Sequence, residues 1–336
     1  MKKVALNGFG RIGKNFLHAY LQDSQAHKKF SLVAINIGNV YIEEVPYMIA
    51  YDSLLSAYTK PVIVKDGLLM IDNFKIILLQ ETDASKLPWA DLQIDFVVDA
   101  TGHYTHAQDA QQHIKSGAKK VVITAPAHGE DITIVMGVNQ SHYDAQKHTI
   151  ISLGSCTTNA MVPLIHVMKM HTHINQMLAS TVHAYTNTQT LLDVNPGHKD
   201  VRKSRAAALN IIPASTGAAV SIAAVFPEYK NILSASALRV PIPVVSLADV
   251  TFLLEKPVAV DTLHEWFAEA SRTVLKNILS VSYQPLVSSD FMGNSHSVIF
   301  DTTMTVSAGS LVRLYGWYDN EWAYSNRIKD FLIGAR

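Results

Sequence analysis

A short apolar run from Lys3 to Gly8 leads at once into Gly8-Phe9-Gly10-Arg11-Ile12-Gly13, and then into a helical pattern through Leu21. Strand, G-x-G-x-x-G, helix is the opening of a dinucleotide-binding β-α-β unit. Gly8 makes the tight turn, Gly10 lets a pyrophosphate approach the backbone, and Gly13 lets the helix lie close to the strand. N–H groups at the helix start then receive the phosphates. Asn7 and Arg11 are the polar residues set where a cofactor would pass.

The second strand, Ser31 to Ile35, is expected to end in an acidic residue that binds the ribose 2′-hydroxyl of NAD. Here it runs into Ala34-Ile35-Asn36-Ile37-Gly38-Asn39, and the carboxylates that follow, Glu43 and Glu44, come later than the strand end. Without that carboxylate a 2′-phosphate is not repelled, and no Arg or Lys stands nearby to attract it. NAD is the expected cofactor, with NADP permitted rather than demanded.

Apolar runs continue at Pro61 to Val64, Leu68 to Ile71, Phe74 to Leu79, Phe96 to Ala100, Lys120 to Ala125 and Ile132 to Val138. A helical stretch, Gln108 to Ser116, ends at Gly117 and gives a β-α-β crossover into Val121-Val122-Ile123. In an open parallel sheet the strand C-terminal ends face the ligand crevice. That makes Thr101 and Thr124 candidate cofactor contacts, beside the plainer reading of loop threonines.

Leu153-Gly154-Ser155-Cys156-Thr157-Thr158-Asn159 holds the one cysteine of the chain, which rules out an internal disulfide. Ser155 and the threonines are capping residues, and Met161 to Met170 reads as an apolar helix, so Cys156 falls at a helix N-terminus. Backbone N–H groups and the helix dipole there are expected to lower the thiol pKa and make sulfur a nucleophile near neutral pH. His183 closes a strand-like run, Met177 to Val182. An imidazole within reach of that sulfur could hold a thiolate as an ion pair and then act as general base.

The segment from Thr188 to Arg205 is irregular and gathers His198, Lys199, Arg202, Lys203 and Arg205, a solvated loop, a subunit contact or an anion site. Ser215-Thr216-Gly217-Ala218-Ala219 opens an Ala-rich helix in an anion-binding arrangement. Arg239 interrupts an otherwise apolar strand, as an anion ligand or half of a buried ion pair. Beyond it, Ser246 to Leu254, Val281 to Tyr283, Ser297 to Phe300, Thr303 to Val306 and Leu311 to Trp317 read as antiparallel strands. Asp261 to Ile278 is an amphipathic helix over one face, and Asn320 to Leu332 is the last helix.

With 336 residues the chain is long enough for two cores. Lys+Arg and Asp+Glu are both 28, so no global field recruits nucleic acid or an anionic membrane. No apolar run reaches the roughly 18 residues of a membrane span, and Met1-Lys2-Lys3 leads into a strand pattern rather than a signal peptide. A cytoplasmic protein is expected. No Cys/His grouping has metal-site spacing.

Asn7 to Gly13, Ser155 to Asn159, His183 to Asn187, Ser215 to Ala219, Arg239 to Pro241 and Tyr318-Asp319-Asn320-Glu321-Trp322 closely resemble the phosphorylating glyceraldehyde-3-phosphate dehydrogenase family, in order and from end to end. The resemblance implies an α/β fold: a Rossmann nucleotide-binding domain, residues 1–154, plus an α+β catalytic domain with a large mixed sheet, residues 155–319. The C-terminal helix, 320–336, would return to the first domain. It further implies a homotetramer that oxidises glyceraldehyde 3-phosphate in the presence of inorganic phosphate to 1,3-bisphosphoglycerate. Cys156 resembles the nucleophile of a thiohemiacetal and thioester, and His183 the base, which also helps the Cys156 N–H stabilise the oxyanion. Thr186 and Arg239 resemble the substrate-phosphate site; Ser155, Thr157, Thr216 and Gly217 the inorganic-phosphate site. Lys203 stands where many relatives carry Arg, which weakens bidentate phosphate binding there. Arg11, Ile12, Thr124 and Asn320 resemble cofactor contacts, and the basic loop resembles one that packs against a neighbouring subunit's cofactor.

The chain departs from the pattern in places. Ile37 and Gly38 replace the usual acidic residue, the loop carries an insertion around Asn195 to Gly197, and Ala160 replaces a second cysteine. An erythrose-4-phosphate dehydrogenase and a non-catalytic binding paralogue are the alternative readings.

Overall fold

The computed structural model describes residues 1–195 and 200–335. The chain forms two compact units. One comprises residues 1–134 and 140–154 and the chain from Ser325, the other Val135–Asn139 and Ser155–Tyr324.

Among the described residues the first unit carries a nine-stranded sheet. Its order is Val62–Lys65, Leu68–Ile71, Phe74–Leu79, Phe30–Asn36, Lys2–Asn7, Phe96–Asp99, Lys120–Ile123, Ile150–Ser152 and Ile132–Thr133. The first three strands form an antiparallel meander; from Phe74–Leu79 onward all neighbours are parallel. The order reverses at Lys2–Asn7, the position at which open parallel sheets bind ligands. There Asn7 pairs in register with Asn36 on one side and Asp99 on the other, a polar row across three strand ends. Helix Arg11–Gln22 buries Phe16, Leu17 and Tyr20, and Ala107–Lys115 buries Ala110 and His113. The end of the last helix, Trp322–Gly334, also belongs to this unit. Phe331 meets Phe96 edge-on at 6.4 Å and Tyr143 at 5.2 Å. The Lys2 ammonium donates to the carbonyls of Leu332, at 2.6 Å, and Ala335.

The apolar run at Ile132 to Val138 is strand only over Ile132–Thr133. Beyond it the chain turns, with Gly137 at φ +88° and the Asn139 side chain accepting from Val135 N at 2.7 Å. Ile134 and Val135 are buried and Met136 and Val138 half-buried outside any strand, so hydropathy alone overestimated the strand.

The second unit carries a mixed sheet in the order Ile212–Ala214, Leu233–Val240, Ile174–Ala184, Ser246–Leu254, Leu311–Tyr318, Val298–Asp301 and Leu279–Ser282, with Val306–Ala308 paired to Leu311–Tyr318. Helix Cys156–His171 is buried over most of its length. It packs with Ala218–Val225 and Val260–Arg272 in one core whose sheet contribution includes Val250, Phe252, Phe300 and Leu314. Gly316 marks how closely layers approach: a Cβ there would lie 2.4 Å from Val298 Cγ2 and 3.1 Å from Leu164 Cδ1.

Three expectations for this half are corrected. Leu279–Ser282 and Val298–Asp301 pair parallel, because the intervening loop crosses over instead of turning back as a hairpin. Thr303 opens no strand. The Asp301 carboxylate accepts from Thr303 N and Oγ1 at 2.9 and 2.7 Å, winding Thr302–Met304 into a 3₁₀ turn before Val306–Ala308 begins. The amphipathic helix stops at Arg272, although Leu275 and Ile278 continue to face the core through turns.

Candidate active site

In the first unit a cavity of about 590 Å³ opens at the strand ends, lined by Asn7, Gly8, Gly10, Asn36–Val40, Glu81, Thr82 and Thr101 among others. The glycines match their assigned tasks. A Cβ on Gly13 would stand 2.2 Å from Gly8 O, and one on Gly8, at φ +100°, 2.9 Å from Thr101 N. A Cβ on Gly10 would meet nothing within 4 Å. Two glycines therefore close the turn, and the third leaves open space where a pyrophosphate needs it. The residues present fit a dinucleotide.

Asn7 and Thr101 line this cavity; Arg11, Ile12, Gly13 and Thr124 are not among its walls. Arg11 and Lys14, on the first helix, both pair with Asp52, Lys14 at 2.8 Å. Burial works against the charge of Asp52, but Lys14 and Arg11 outweigh it and hold the carboxyl well below the usual range. Thr124 Oγ1 donates to Asp99 O at 2.9 Å. Glu81 was not legible in the sequence. It stands 45 residues from Asn36, yet its backbone N and O both bond the Asn36 side chain, at 3.0 and 2.8 Å. It brings to the cavity wall the carboxylate that the second strand lacks, with Oε1 accepting from Thr82 N and Asp83 N.

In the second unit Ser155 caps helix Cys156–His171 through a reciprocal box. Thr158 N donates to Ser155 Oγ at 3.0 Å, and Ser155 N to Thr158 Oγ1 at 3.2 Å. The box fixes Cys156 at the first helical position. His183 comes from strand Ile174–Ala184, where its register partner on the neighbouring strand is Arg239. Cys156 Sγ lies 3.5 Å from His183 Nε2.

Neither group is charged by its surroundings alone. Burial pushes the Cys156 thiol up, and Arg239 and the hydrogen bonds at Thr157 only partly offset it. Burial and then Arg239 push His183 down to about 3. The helix N-terminus lowers the thiol through its N–H groups, as its capping sequence leads one to expect, and burial opposes it. Moving the proton from sulfur to Nε2 creates both charges together at contact distance, where each stabilises the other, so the two titrate as one unit. On the far side of the ring, Nδ1 lies 2.7 Å from Ala184 O and 2.8 Å from Arg239 Nη1. A guanidinium only donates. When Nδ1–H points to Ala184 O, the Nε2 lone pair faces the thiol, the form a base requires. When Nδ1 accepts from Arg239, the neutral ring carries its proton on Nε2 and cannot take one from the thiol; the imidazolium formed by proton transfer carries both protons, Nδ1–H toward Ala184 O and Nε2–H toward sulfur.

Arg239 also donates to Ala184 O at 2.9 Å, while its buried Nε has no protein partner among the described residues. A buried guanidinium N–H without an acceptor is what an oxyanion satisfies. Thr186 Oγ1 lies 2.9 Å from Thr188 Oγ1. Thr216 Oγ1 accepts from Ala218 N at 3.1 Å, with Gly217 as N-cap of helix Ala218–Val225. Both hydroxyls keep the capacity for a further bond. Lys203 is half-buried in the 3₁₀ turn Val201–Ser204. The basic loop is less cationic than its composition suggests, because Arg202 pairs with Asp200 and Arg205 with Asp193. Of the insertion around Asn195 to Gly197, Pro196 and Gly197 lie outside the described residues, as do His198 and Lys199.

Tyr318 ties these parts together, a role its place in the motif did not reveal. Its buried hydroxyl lies 3.0 Å from Thr157 Oγ1 and 2.8 Å from Thr181 Oγ1, and its ring meets His183 edge-on at 6.0 Å. Burial pushes this phenol up, so it stays protonated and can donate to one threonine while accepting from the other. Ser246 Oγ accepts from Ala184 N at 3.1 Å and donates to Asn320 Oδ1 at 3.1 Å, which fixes the orientation of the Asn320 amide. The described residues contain no group of three or more potential metal ligands.

Residues 2–107 match the family described as glyceraldehyde 3-phosphate dehydrogenase, NAD binding domain, and residues 155–320 match its C-terminal domain. The chain is 43% identical to glyceraldehyde-3-phosphate dehydrogenase 2 of Streptomyces arenae over 99% of its length and 98% of the relative. It is 43% identical to glyceraldehyde-3-phosphate dehydrogenase 2 of Bacillus subtilis over 99% and 97%. The Streptomyces coelicolor enzyme is 42% identical over 98% and 97%.

Proposed function

The chain belongs to the glyceraldehyde 3-phosphate dehydrogenase family, and on that premise we propose that it oxidises and phosphorylates glyceraldehyde 3-phosphate to 1,3-bisphosphoglycerate. The observation that carries the reading is the Cys156–His183 pair beside an arginine with an unsatisfied N–H. Cys156 attacks the aldehyde carbon as His183 Nε2 takes the thiol proton. The Cys156 backbone N–H and the imidazolium Nε2–H then hold the oxyanion of the thiohemiacetal. NAD supplies the hydride acceptor. The imidazolium returns its proton to that oxyanion, giving the hydroxyl, and His183 takes it again as the hydride leaves; inorganic phosphate then attacks the thioester carbon and displaces the Cys156 thiolate. Arg239 and Thr186 bind the phosphate carried by the substrate. Ser155, Thr157, Thr216 and Gly217, with Lys203 nearby in the chain, receive the attacking phosphate. Asn7, Gly8, Gly10 and Thr101 hold the dinucleotide, with Arg11, Ile12, Gly13 and Thr124 supporting the walls and Asn320 at the nicotinamide. This gives residues 1–154 the cofactor and 155–319 the chemistry.

The Glu81 carboxylate favours NAD over NADP by repelling a 2′-phosphate, whereas Ile37 and Gly38 leave NADP admissible. Exposed Leu178, Leu209, Ile211 and Val220, each at least 60% accessible, support a homotetramer, to be weighed by light scattering. No helix among the described residues is long and apolar enough to cross a membrane, in keeping with a cytoplasmic enzyme. The deciding experiment is kcat/KM on glyceraldehyde 3-phosphate and phosphate with each cofactor in parallel. Strong NAD-dependent turnover is expected; turnover with neither cofactor would overturn the reading.

A further inference from the structure

The polar row at the strand ends continues inward, and its hydrogen bonds leave little choice of direction. Trp89, fully buried, donates from Nε1 to His113 Nδ1 at 3.0 Å. An indole nitrogen only donates, so Nδ1 must be the acceptor and the ring proton sits on Nε2. Nε2 lies 3.2 Å from Asp99 Oδ2 and donates to it. The same oxygen accepts from Asn7 Nδ2 at 2.7 Å. The 3.4 Å between Asn7 Nδ2 and His113 Nε2 is then two donors converging on one oxygen. The other Asp99 oxygen accepts from Thr101 N and Oγ1, at 3.2 and 2.7 Å. Asn7, its amide thus oriented, accepts on Oδ1 from Asn36 Nδ2 at 2.7 Å. The second Asn36 proton goes to Glu81 O, and Asn36 Oδ1 accepts from Glu81 N.

Two consequences follow. The Asn36 side chain, at the end of the second strand and next to Ile37, where the usual acidic residue is missing, is committed to the protein and leaves the cofactor to the backbone beside it. Asn7, Thr101 and, through Asn7, Asn36 are all oriented by one carboxylate, which is 2% exposed. We infer that Asp99 is a positioning residue for the dinucleotide, itself aimed by His113 and Trp89 from beneath the cavity. This rests on reading the cavity as the cofactor site.

Asp99→Asn tests it. Whichever way the new amide turns, its nitrogen faces donors, so either the Thr101 pair or the Asn7 and His113 pair loses its acceptor, and Trp89 prevents His113 from changing tautomer. Calorimetric titration of the full-length variant with NAD is expected to show at least tenfold weaker binding. Turnover at saturating NAD and KM for the aldehyde should stay within twofold. Trp89→Phe frees His113 at the far end of the row, should shift NAD affinity in the same direction by less, and decides the matter if Asp99→Asn fails to fold. Wild-type NAD affinity in both variants would overturn the inference. So would a loss of turnover and aldehyde affinity in step with NAD affinity, because that marks general disruption. A wild-type protein that takes up no NAD in the same titration would instead overturn the cavity assignment on which the inference stands.

Discussion

Replacing His183 by Asn separates the imidazole's contribution to the thiol from that of the helix beneath it. An ordinary thiol near 8.5 is about 3% thiolate at pH 7. Burial raises the Cys156 value, so without an acceptor 3.5 Å from sulfur the thiolate fraction falls below that figure. Loss of a general base costs about 10²–10⁴-fold in turnover. Cys156 is the one cysteine in the chain, so iodoacetamide uptake, read by mass, reports this sulfur alone. In the wild type the alkylation rate should level off at a pH below the ordinary thiol value, because the thiolate forms together with its imidazolium. In His183→Asn the rate should climb about tenfold per pH unit through neutrality and keep climbing past 8.5. Arg239 and Thr157 would then be the main forces opposing burial. A variant that alkylates at pH 7 as fast as the wild type, and turns over within tenfold of it, would refute the pair and return the activation to the helix N-terminus.

Two further outcomes test the site and its scaffold. Arg239→Lys keeps the charge but not the planar fork or the N–H at Nε, so KM for glyceraldehyde 3-phosphate should rise at least tenfold while glyceraldehyde without phosphate is oxidised as before; equal losses on both substrates would count against a phosphate role. Gly316→Ala sets a methyl 2.4 Å from Val298 Cγ2, and overpacking of this kind costs about 1–3 kcal/mol. Urea denaturation should register it, and unchanged stability would mean that the layers are looser than described.

What could be read from sequence was local. Gly8, Gly10 and Gly13 announce their turn because their spacing is local, and Gly13 packs on Gly8 itself, although Gly8 also lies against Ala100 and Thr101 far along the chain. Ser155 and Thr158 announce their helix for the same reason, and Cys156 comes with it. The parts that escaped depend on distant partners. Glu81 reaches Asn36 across 45 positions, Tyr318 joins Thr157 and Thr181 across 161 and 137, and nothing near any of them in sequence marks the meeting. Hydropathy misplaced the end of helix Val260–Arg272, because Leu275 and Ile278 are buried in turns, and it misread Thr303, an exposed residue that the Asp301 carboxylate draws into a turn. The force that opposes the thiolate was hidden for a related reason. A capping sequence shows the dipole, but the desolvation that opposes it comes from elements far along the chain.

The last helix has a bearing on synthesis. All nine strands of the first unit's sheet are translated by Ser152, but Phe331, which covers Phe96 and Tyr143, and the carbonyls that Lys2 clasps emerge only after the whole second unit. A chain halted anywhere between leaves that apolar patch open on the ribosome. Growing chains of this protein therefore leave that patch uncovered for the time needed to make some 170 residues, roughly ten to thirty seconds at ordinary elongation rates.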